Sequence, residues 1–211
     1  MKKGLRLKLT FTPPSDGRVH SYCLYCGQES PRSGLREKRL AYECKACGRR
    51  HTRALIIDPG VRWWCDETGE YWHETAGIFL SNNQGEFLFF ERTRHPFGLT
   101  VPAGHVDTGE LEMTTARREL GEEAGVLLPN SAFRHVVSEA IYGDECRRGA
   151  DVHRWHIFTA KLPSHLSIIV DEREGVNPIW LRLEDALERK LTFATRYIIS
   201  RHCEAIAQIV G

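Results

Sequence analysis

The 211-residue sequence predicts an α/β domain preceded by a small metal-held module, on three observations. From Thr75 onward, apolar runs of strand length are interspersed with segments of helical periodicity, as expected where helices are layered on a sheet. Ahead of them stand two CxxC pairs, Cys23/Cys26 and Cys44/Cys47, separated by 17 residues. Charge divides the chain in the same way: residues 1–60 carry 13 Lys/Arg against 5 Asp/Glu, and the remainder 16 against 23. The formal charge of +1 therefore conceals a basic front and an acidic back.

In chain order, Leu5 to Phe11 predicts a strand that ends in the turn residues TPPSDG. In each CxxC pair the second cysteine is followed by glycine, as in knuckle turns that aim backbone amides at sulfur. Four thiolates at this spacing suit a tetrahedral structural Zn²⁺ with no open position, a reading favoured over disulfides in a reducing compartment. The module is assigned to residues 1–53, and a unit this small needs a staple because it cannot build an adequate core. Its basic residues Arg36, Lys38, Arg39, Lys45, Arg49, Arg50 and Arg53 attract phosphates, and Tyr22, Tyr25 and Tyr42 offer stacking faces, so RNA is one expected partner. Residues 54–74 read as a junction, with a DPG turn at 58–60 and Trp63, Trp64 and Trp72 covering an edge.

Residues 75–211 carry the larger domain. Ala76 to Leu80 and Phe87 to Glu91 predict a hairpin about SNNQGE. Further strands are expected at Phe133 to Ile141, His153 to Leu162 and around Ile179 to Leu183, with helices over Glu184 to Leu191 and Ala194 to Val210. Cys65, Cys146 and Cys203 lack partner spacing and read as free thiols, and the ten histidines form no HxH or HExxH array that would mark ligands. No run approaches the ~18 apolar residues of a membrane span, and MKKGLRLKLTFT has no apolar region long enough for a signal peptide. The expectation is a soluble cytoplasmic protein with no membrane partner.

The chemistry concentrates in GHVDTGELEMTTARRELGEEAGV, Gly104 to Val126, with six carboxylates in 23 residues. Leu111 to Ala124 is rich in helix formers, and Gly125 is placed to end the helix. Met113, Ala116, Leu120 and Ala124 share a stripe that can face a core, while Glu119, Glu122 and Glu123 fall together on another face. Like charges so placed repel unless a divalent cation joins them, and hard cations such as Mg²⁺ take carboxylate oxygens together with substrate phosphates. Arg118 is spaced to pair with Glu122 or Glu110 and so orient the carboxylates.

The same stretch matches every fixed position of the Nudix box: Gly104, five residues, Glu110, seven residues, Arg118-Glu119-Leu120, one residue, Glu122-Glu123, one residue, Gly125-Val126. The chain therefore resembles the Nudix hydrolases, which cleave nucleoside diphosphates linked to another group. The resemblance implies a mixed sheet in an α/β/α sandwich, with Mg²⁺ or Mn²⁺ held by Glu122 and Glu123. It makes Glu119 a ligand or a base, adds the carbonyl of Ala103 to the metal shell, and makes Arg118 and Glu110 supports. A later acidic residue commonly contributes, for which Glu174 is the candidate, with Glu139, Asp144, Glu145 and Glu172 as rivals. Arg92 and Arg94, after the second hairpin strand, are candidates for phosphate contact.

A zinc ribbon ahead of a Nudix domain is similar to the NADH pyrophosphatase branch, which includes decapping enzymes for NAD-capped RNA. The SQPWPFPxS motif of that branch is absent, and the chain reads LLPNSAFRHVVSEAIYG there. Trp63, Trp64, Trp72, Phe97 and Phe133 are alternative stacking partners for a nucleobase, though buried packing is their ordinary use. Three functions follow: hydrolysis of a free nucleotide such as NADH or ADP-ribose, hydrolysis of an RNA cap with the basic ribbon as grip, or non-catalytic nucleotide sensing. The intact box favours hydrolysis. A homodimer is a further expectation from the resemblance.

Overall fold

The computed structural model describes residues 8–29, 31–36 and 39–208. The front of the chain holds β1 (His20–Tyr22), β2 (Pro31–Arg36), β3 (Arg39–Cys44), β4 (Arg50–His51) and β5 (Leu55–Ile57). Strands β2, β3 and β4 form an antiparallel sheet, and β1 pairs with β5. Each CxxC closes a tight knuckle: the Gly27 N–H donates to the Cys23 carbonyl at 3.0 Å, and the Gly48 N–H to the Cys44 carbonyl at 2.8 Å. Both glycines have left-handed backbone, φ 69° and 68°, which other residues enter only at a cost. Of the strand predicted over Leu5 to Phe11, residues 5–7 lie outside the described residues, and Lys8 bridges to Glu70.

The larger domain follows as β6 (Trp63–Cys65), β7 (Tyr71–Ser81), β8 (Phe87–Arg92), β9 (Leu99–Thr100), β10 (Ala103–His105), α1 (Glu112–Ala124), β11 (Arg134–Tyr142), β12 (Val152–Lys161), β13 (Gly175–Leu181), α2 (Leu183–Leu187) and α3 (Phe193–Gln208). Among the described residues the main sheet runs β11-β12-β7-β8-β13, with β6 and β10 added to β7 and β9 added to β8. The β7–β12 pairing is parallel and its neighbours are antiparallel, so the sheet is mixed. Residues 54–74 contribute β5, β6 and the start of β7. The tryptophans there stack in pairs, Trp64 on Trp72 at 5.4 Å and Trp63 against Tyr71 at 5.6 Å.

Alternation along β7 builds the layers. Ala76, Ile78 and Leu80 pack toward Ala116, Leu120 and Ala124 of α1. Phe79, with Phe87 and Phe89 of β8, packs on the opposite layer against Leu183 and Ala186 of α2 and Ala194, Ile198, Ile199 and Ile206 of α3. Side chains of a strand point alternately to its two faces, so one strand serves both cores. Every residue of β7 is buried, as expected for a strand covered on both sides. The result is the expected α/β/α sandwich.

One boundary differs from the sequence expectation. The helix foreseen over Glu184 to Leu191 stops at Leu187, because the sheet edge captures the following residues. Leu99 donates its N–H to the Lys190 carbonyl at 2.8 Å, and Thr192 donates to the Leu99 carbonyl at 2.9 Å. Leu191 is buried against that edge.

Candidate active site

The acidic stretch folds as a loop, α1 and a second loop. Gly125 caps α1 in a left-handed conformation, φ 68°, and donates to the Gly121 carbonyl at 3.1 Å. With the apolar stripe held on the sheet, Glu119 and Glu123 are buried at the sheet side and Glu122 is exposed. Gly104 on β10 is required by close approach, since a β-carbon there would lie 1.9 Å from Oε1 of Glu119. The Ala103 N–H donates to Oε2 of Glu123 at 2.8 Å.

Arg118 organises the cluster. Its Nε and Nη2 donate to the two oxygens of Glu110 at 3.2 and 3.1 Å, and Nη1 reaches Glu119 at 2.6 Å and Glu122 at 3.2 Å. Nη2 also donates to the His105 carbonyl at 3.2 Å. Both pairings foreseen for Arg118 are thus present. A second buttress, Arg62, was not foreseen from the sequence. It donates to Glu74 and Glu112, each at 2.7 Å, and to the Glu110 carbonyl, locking the loop that precedes α1.

Burial pushes the Glu119 carboxyl up to about 7 against the pull of Arg118, with Glu122 and Glu174 adding repulsion. Burial lifts Glu123 to about 8 against the pull of Arg92 and the Ala103 amide, with Glu119 and Glu174 adding repulsion. Two buried carboxylates raised in this way gain strongly from a divalent cation, and their hard oxygens fit Mg²⁺ or Mn²⁺. The donor set of this structure therefore suits the metal that the sequence implied.

Glu119, Glu122, Glu123, Arg118 and Ala103 line a cavity of about 650 Å³, together with Arg92, Arg94 and Glu174. Glu110 stands behind the cavity wall and grips Arg118, which lines it. Glu174 pairs with Arg94 at 2.6 Å. Of its rivals, Asp144 and Glu145 also line the cavity, while Glu139 is engaged by His202 at 2.5 Å. Sequence reasoning missed Arg147, Arg148 and Arg173, three further cavity arginines on the loops after β11 and before β13. The RR pair at 147–148 was their signal, but only the fold shows that the two loops meet. Among the foreseen aromatics, Trp72 and Phe133 are buried in packing, while Trp155, which was not foreseen, borders the cavity.

The four ribbon cysteines converge. Cys23 and Cys47 sulfurs lie 3.8 Å apart and those of Cys26 and Cys44 3.6 Å apart, with all four within 4.8 Å of one another. The Cys47 amide helps draw the Cys44 thiol down to about 7. Four converging sulfurs of this kind fit Zn²⁺. Among the basic residues, Arg49 stacks on Tyr25 at 3.7 Å, Arg50 pairs with Glu43 at 3.2 Å, and Arg53 grips Asp151, Glu145 and the Cys146 carbonyl. Lys45 is exposed, and Arg36, Lys38 and Arg39 lie outside the described side chains. Cys146 is a free thiol as expected, and it lies against His73 at 3.6 Å in a cluster with His105 and His153 that the spacing of the histidines along the chain did not reveal.

The layered sheet with the acidic helix packed on it is the architecture that the Nudix resemblance implied. The NUDIX domain family model matches residues 72–202, and the chain belongs to the Nudix family. It is 31% identical over 103 residues to the asymmetrical bis(5'-nucleosyl)-tetraphosphatase of Caenorhabditis elegans, covering 49% of this chain and 72% of that one. It is 27% identical over 169 residues to the NAD-capped RNA hydrolase NudC of Escherichia coli, covering 80% of this chain. The chain spans about half the length of NudC, 54%. Among solved structures, the NUDIX domain of Shewanella oneidensis NrtR complexed with ADP ribose superposes with a TM-score of 0.53 at 22% identity, covering 63% of this chain and 87% of that one. A C. elegans Ap4A hydrolase gives 0.51 at 23%, covering 64% and 98%. Both structural likenesses bear on the fold. No helix among the described residues is long and apolar enough to cross a membrane.

Proposed function

We propose that this Nudix pyrophosphohydrolase cleaves the pyrophosphate bond of a nucleoside diphosphate linked to a second group, with Glu119, Glu122 and Glu123 holding Mg²⁺ or Mn²⁺. The observation that carries this reading is the meeting of two buried, charge-resisting carboxylates with Arg92 and Arg94 in one cavity. Bound cation supplies neutralisation of the phosphate charge and activation of water. The chain's own residues do the rest. Glu122 and Glu123 would offer ligand oxygens together with the Ala103 carbonyl, and Glu119, ionised beside the cation, would serve as a further ligand or as the base that takes a proton from water. Arg118 fixes Glu119 and Glu122 and is itself fixed by Glu110. Arg92 and Arg94 take the phosphates, and Glu174 restrains Arg94 until a phosphate competes for it. Within this reading, residues 1–53 serve as the zinc ribbon and 75–211 as the hydrolase, while the junction at 54–74 also lends β6 and the start of β7 to the hydrolase sheet.

One observation favours a capped RNA as the substrate over a free dinucleotide. The similarity to NudC covers 80% of the chain and so runs beyond the family segment into the ribbon. Incubation with Mg²⁺ and NADH, ADP-ribose, dinucleoside polyphosphates and NAD-capped RNA, beside Glu123→Gln, tests both readings. Cleavage lost in the variant supports hydrolysis, and the preferred member names the substrate. No cleavage of any member with metal bound overturns the hydrolase reading in favour of a sensor.

A further inference from the structure

In the wall of the acidic cavity, four side chains from four separate segments meet around one point: His73 of β7, and His105 of β10, Cys146 of the loop after β11 and His153 of β12, which also line the cavity. One ligand atom of each lies within 4.8 Å of the others. Three of the four residues are buried and His105 is half-buried. We propose that these residues bind a second transition-metal ion of the Zn²⁺ class, in a closed Cys-His₃ site distinct from both the cysteine ribbon and the acidic helix.

Spacing is the first argument. Tetrahedral zinc with bonds of ~2.3 Å to sulfur and ~2.0 Å to nitrogen places two sulfurs roughly 3.8 Å apart, sulfur and nitrogen about 3.5 Å, and two nitrogens about 3.3 Å. The ribbon sulfurs stand at 3.8 and 3.6 Å. In the histidine cluster, Cys146 Sγ lies 3.6 Å from His73 Nδ1, and His73 Nδ1 lies 3.1 Å from His105 Nε2. In each cluster two of the six edges therefore match a zinc tetrahedron, and the other ligand atoms lie within 4.8 Å of one another.

Proton accounting is the second argument. The Tyr71 hydroxyl donates its one proton to the Ile56 carbonyl at 2.9 Å. At 2.8 Å from that hydroxyl, His73 Nε2 must then be the donor, which fixes the tautomer and leaves a lone pair on Nδ1. Nδ1 is the nitrogen that faces His105 and Cys146. Asp144 Oδ2 lies 3.1 Å from His153 Nδ1, an ion-pair contact in which Nδ1 makes no hydrogen bond, and the Trp155 indole N–H donates to the same oxygen at 2.7 Å. Metal-ligating histidines usually donate their other ring N–H to a fixed acceptor, and His73 does so to the Tyr71 hydroxyl. One thiolate excludes Mg²⁺ and Ca²⁺, while imidazole with thiolate suits Zn²⁺.

The ion would pin the loop between β11 and β12 to the sheet. That loop delivers Asp144, Glu145, Arg147 and Arg148 to the cavity and receives Arg53 from the ribbon side. Its backbone also accepts amides from Ala54 at 3.1 Å and Ile56 at 3.0 Å. The site therefore sits where the front of the chain, the sheet and the substrate cavity join.

The full chain, freed of loosely held metal, is analysed by elemental mass spectrometry and zinc-edge X-ray absorption. The expected result is two zinc ions per chain, with an averaged ligand shell of five sulfurs to three nitrogens. Cys146→Ser and, separately, Cys44→Ser/Cys47→Ser each reduce the count to one, and the ribbon variant retains a nitrogen-rich shell. A single zinc per wild-type chain in an all-sulfur shell overturns the proposal, and this measurement needs no variant to fold. A folded Cys146→Ser protein that keeps both ions in an unchanged shell overturns it equally.

Discussion

The cysteine ribbon and the acidic helix both gather anionic side chains about a point, yet their ligands satisfy opposite demands. In the ribbon, two knuckles bring four soft sulfurs together, with no position left for a substrate. On α1, hard oxygens crowd one wall of an open cavity that Arg92 and Arg94 also line, and burial raises the Glu119 and Glu123 carboxyls toward neutrality. Closure makes the first a device of stability, and openness makes the second a device of chemistry.

Glu123→Gln tests this contrast most strongly. It should lower kcat by about 10³-fold or more while zinc content and fold stay unchanged, because it removes a metal-holding charge and leaves a neutral side chain able to accept from Ala103. Loss of zinc from this variant would show that the regions are not independent. Arg118→Lys comes next: it abolishes the fork on Glu110 and should raise the Mg²⁺ needed for half-maximal rate by about 10–100-fold. Metal titration of initial rates reads it directly.

Removal of ribbon zinc by Cys44→Ser/Cys47→Ser should act on stability first. Structural zinc contributes on the order of 10 kcal/mol to isolated zinc modules, so amides of β2 to β4 should exchange rapidly while those of β7 and β12 keep their protection. Equal loss in both sheets would break the comparison.

A smaller effect is expected from pH. Glu119 and Glu123 titrate near 4.5 unfolded but at about 7 and about 8 when folded, so between these values the folded protein binds more protons. Stability of the metal-stripped protein should therefore fall as pH rises from about 4.5 to about 8. Mg²⁺ should oppose the fall above neutrality, and Glu123→Gln should flatten it. Thermal melts across this range check the sign. Arg94→Ala should have the mildest consequence, a several-fold rise in KM with kcat little changed, since Glu174 already competes for that guanidinium.

What could be read from the sequence follows from how local each feature is. The knuckles and the acidic helix were legible because their residues lie within a few positions of one another, where helical and turn geometry alone decide who meets whom. The α/β class was legible through the apolar runs at 76–80 and 87–91 and the apolar stripe of α1, and the sandwich through the resemblance to the Nudix family. The early stop of α2 was not, since it depends on pairing between Leu99 and residues 190–192 across the fold.

By itself the sequence determined the Nudix-box helix with its carboxylate face, the paired cysteine knuckles and the division of charge between front and back. Only the tertiary structure decided that Arg147, Arg148 and Arg173 share the cavity with Glu119 and Glu123, and that Arg62 locks the loop before the helix. It alone gathered His73, His105, Cys146 and His153, which are separated by up to 80 residues in the chain. The physical reason is sheet register: parallel pairing of β12 with β7 sets His153 opposite His73, and antiparallel pairing of β10 with β7 sets His105 opposite Thr75. No spacing rule along a chain encodes such neighbours, because they exist only once the strands have chosen their partners.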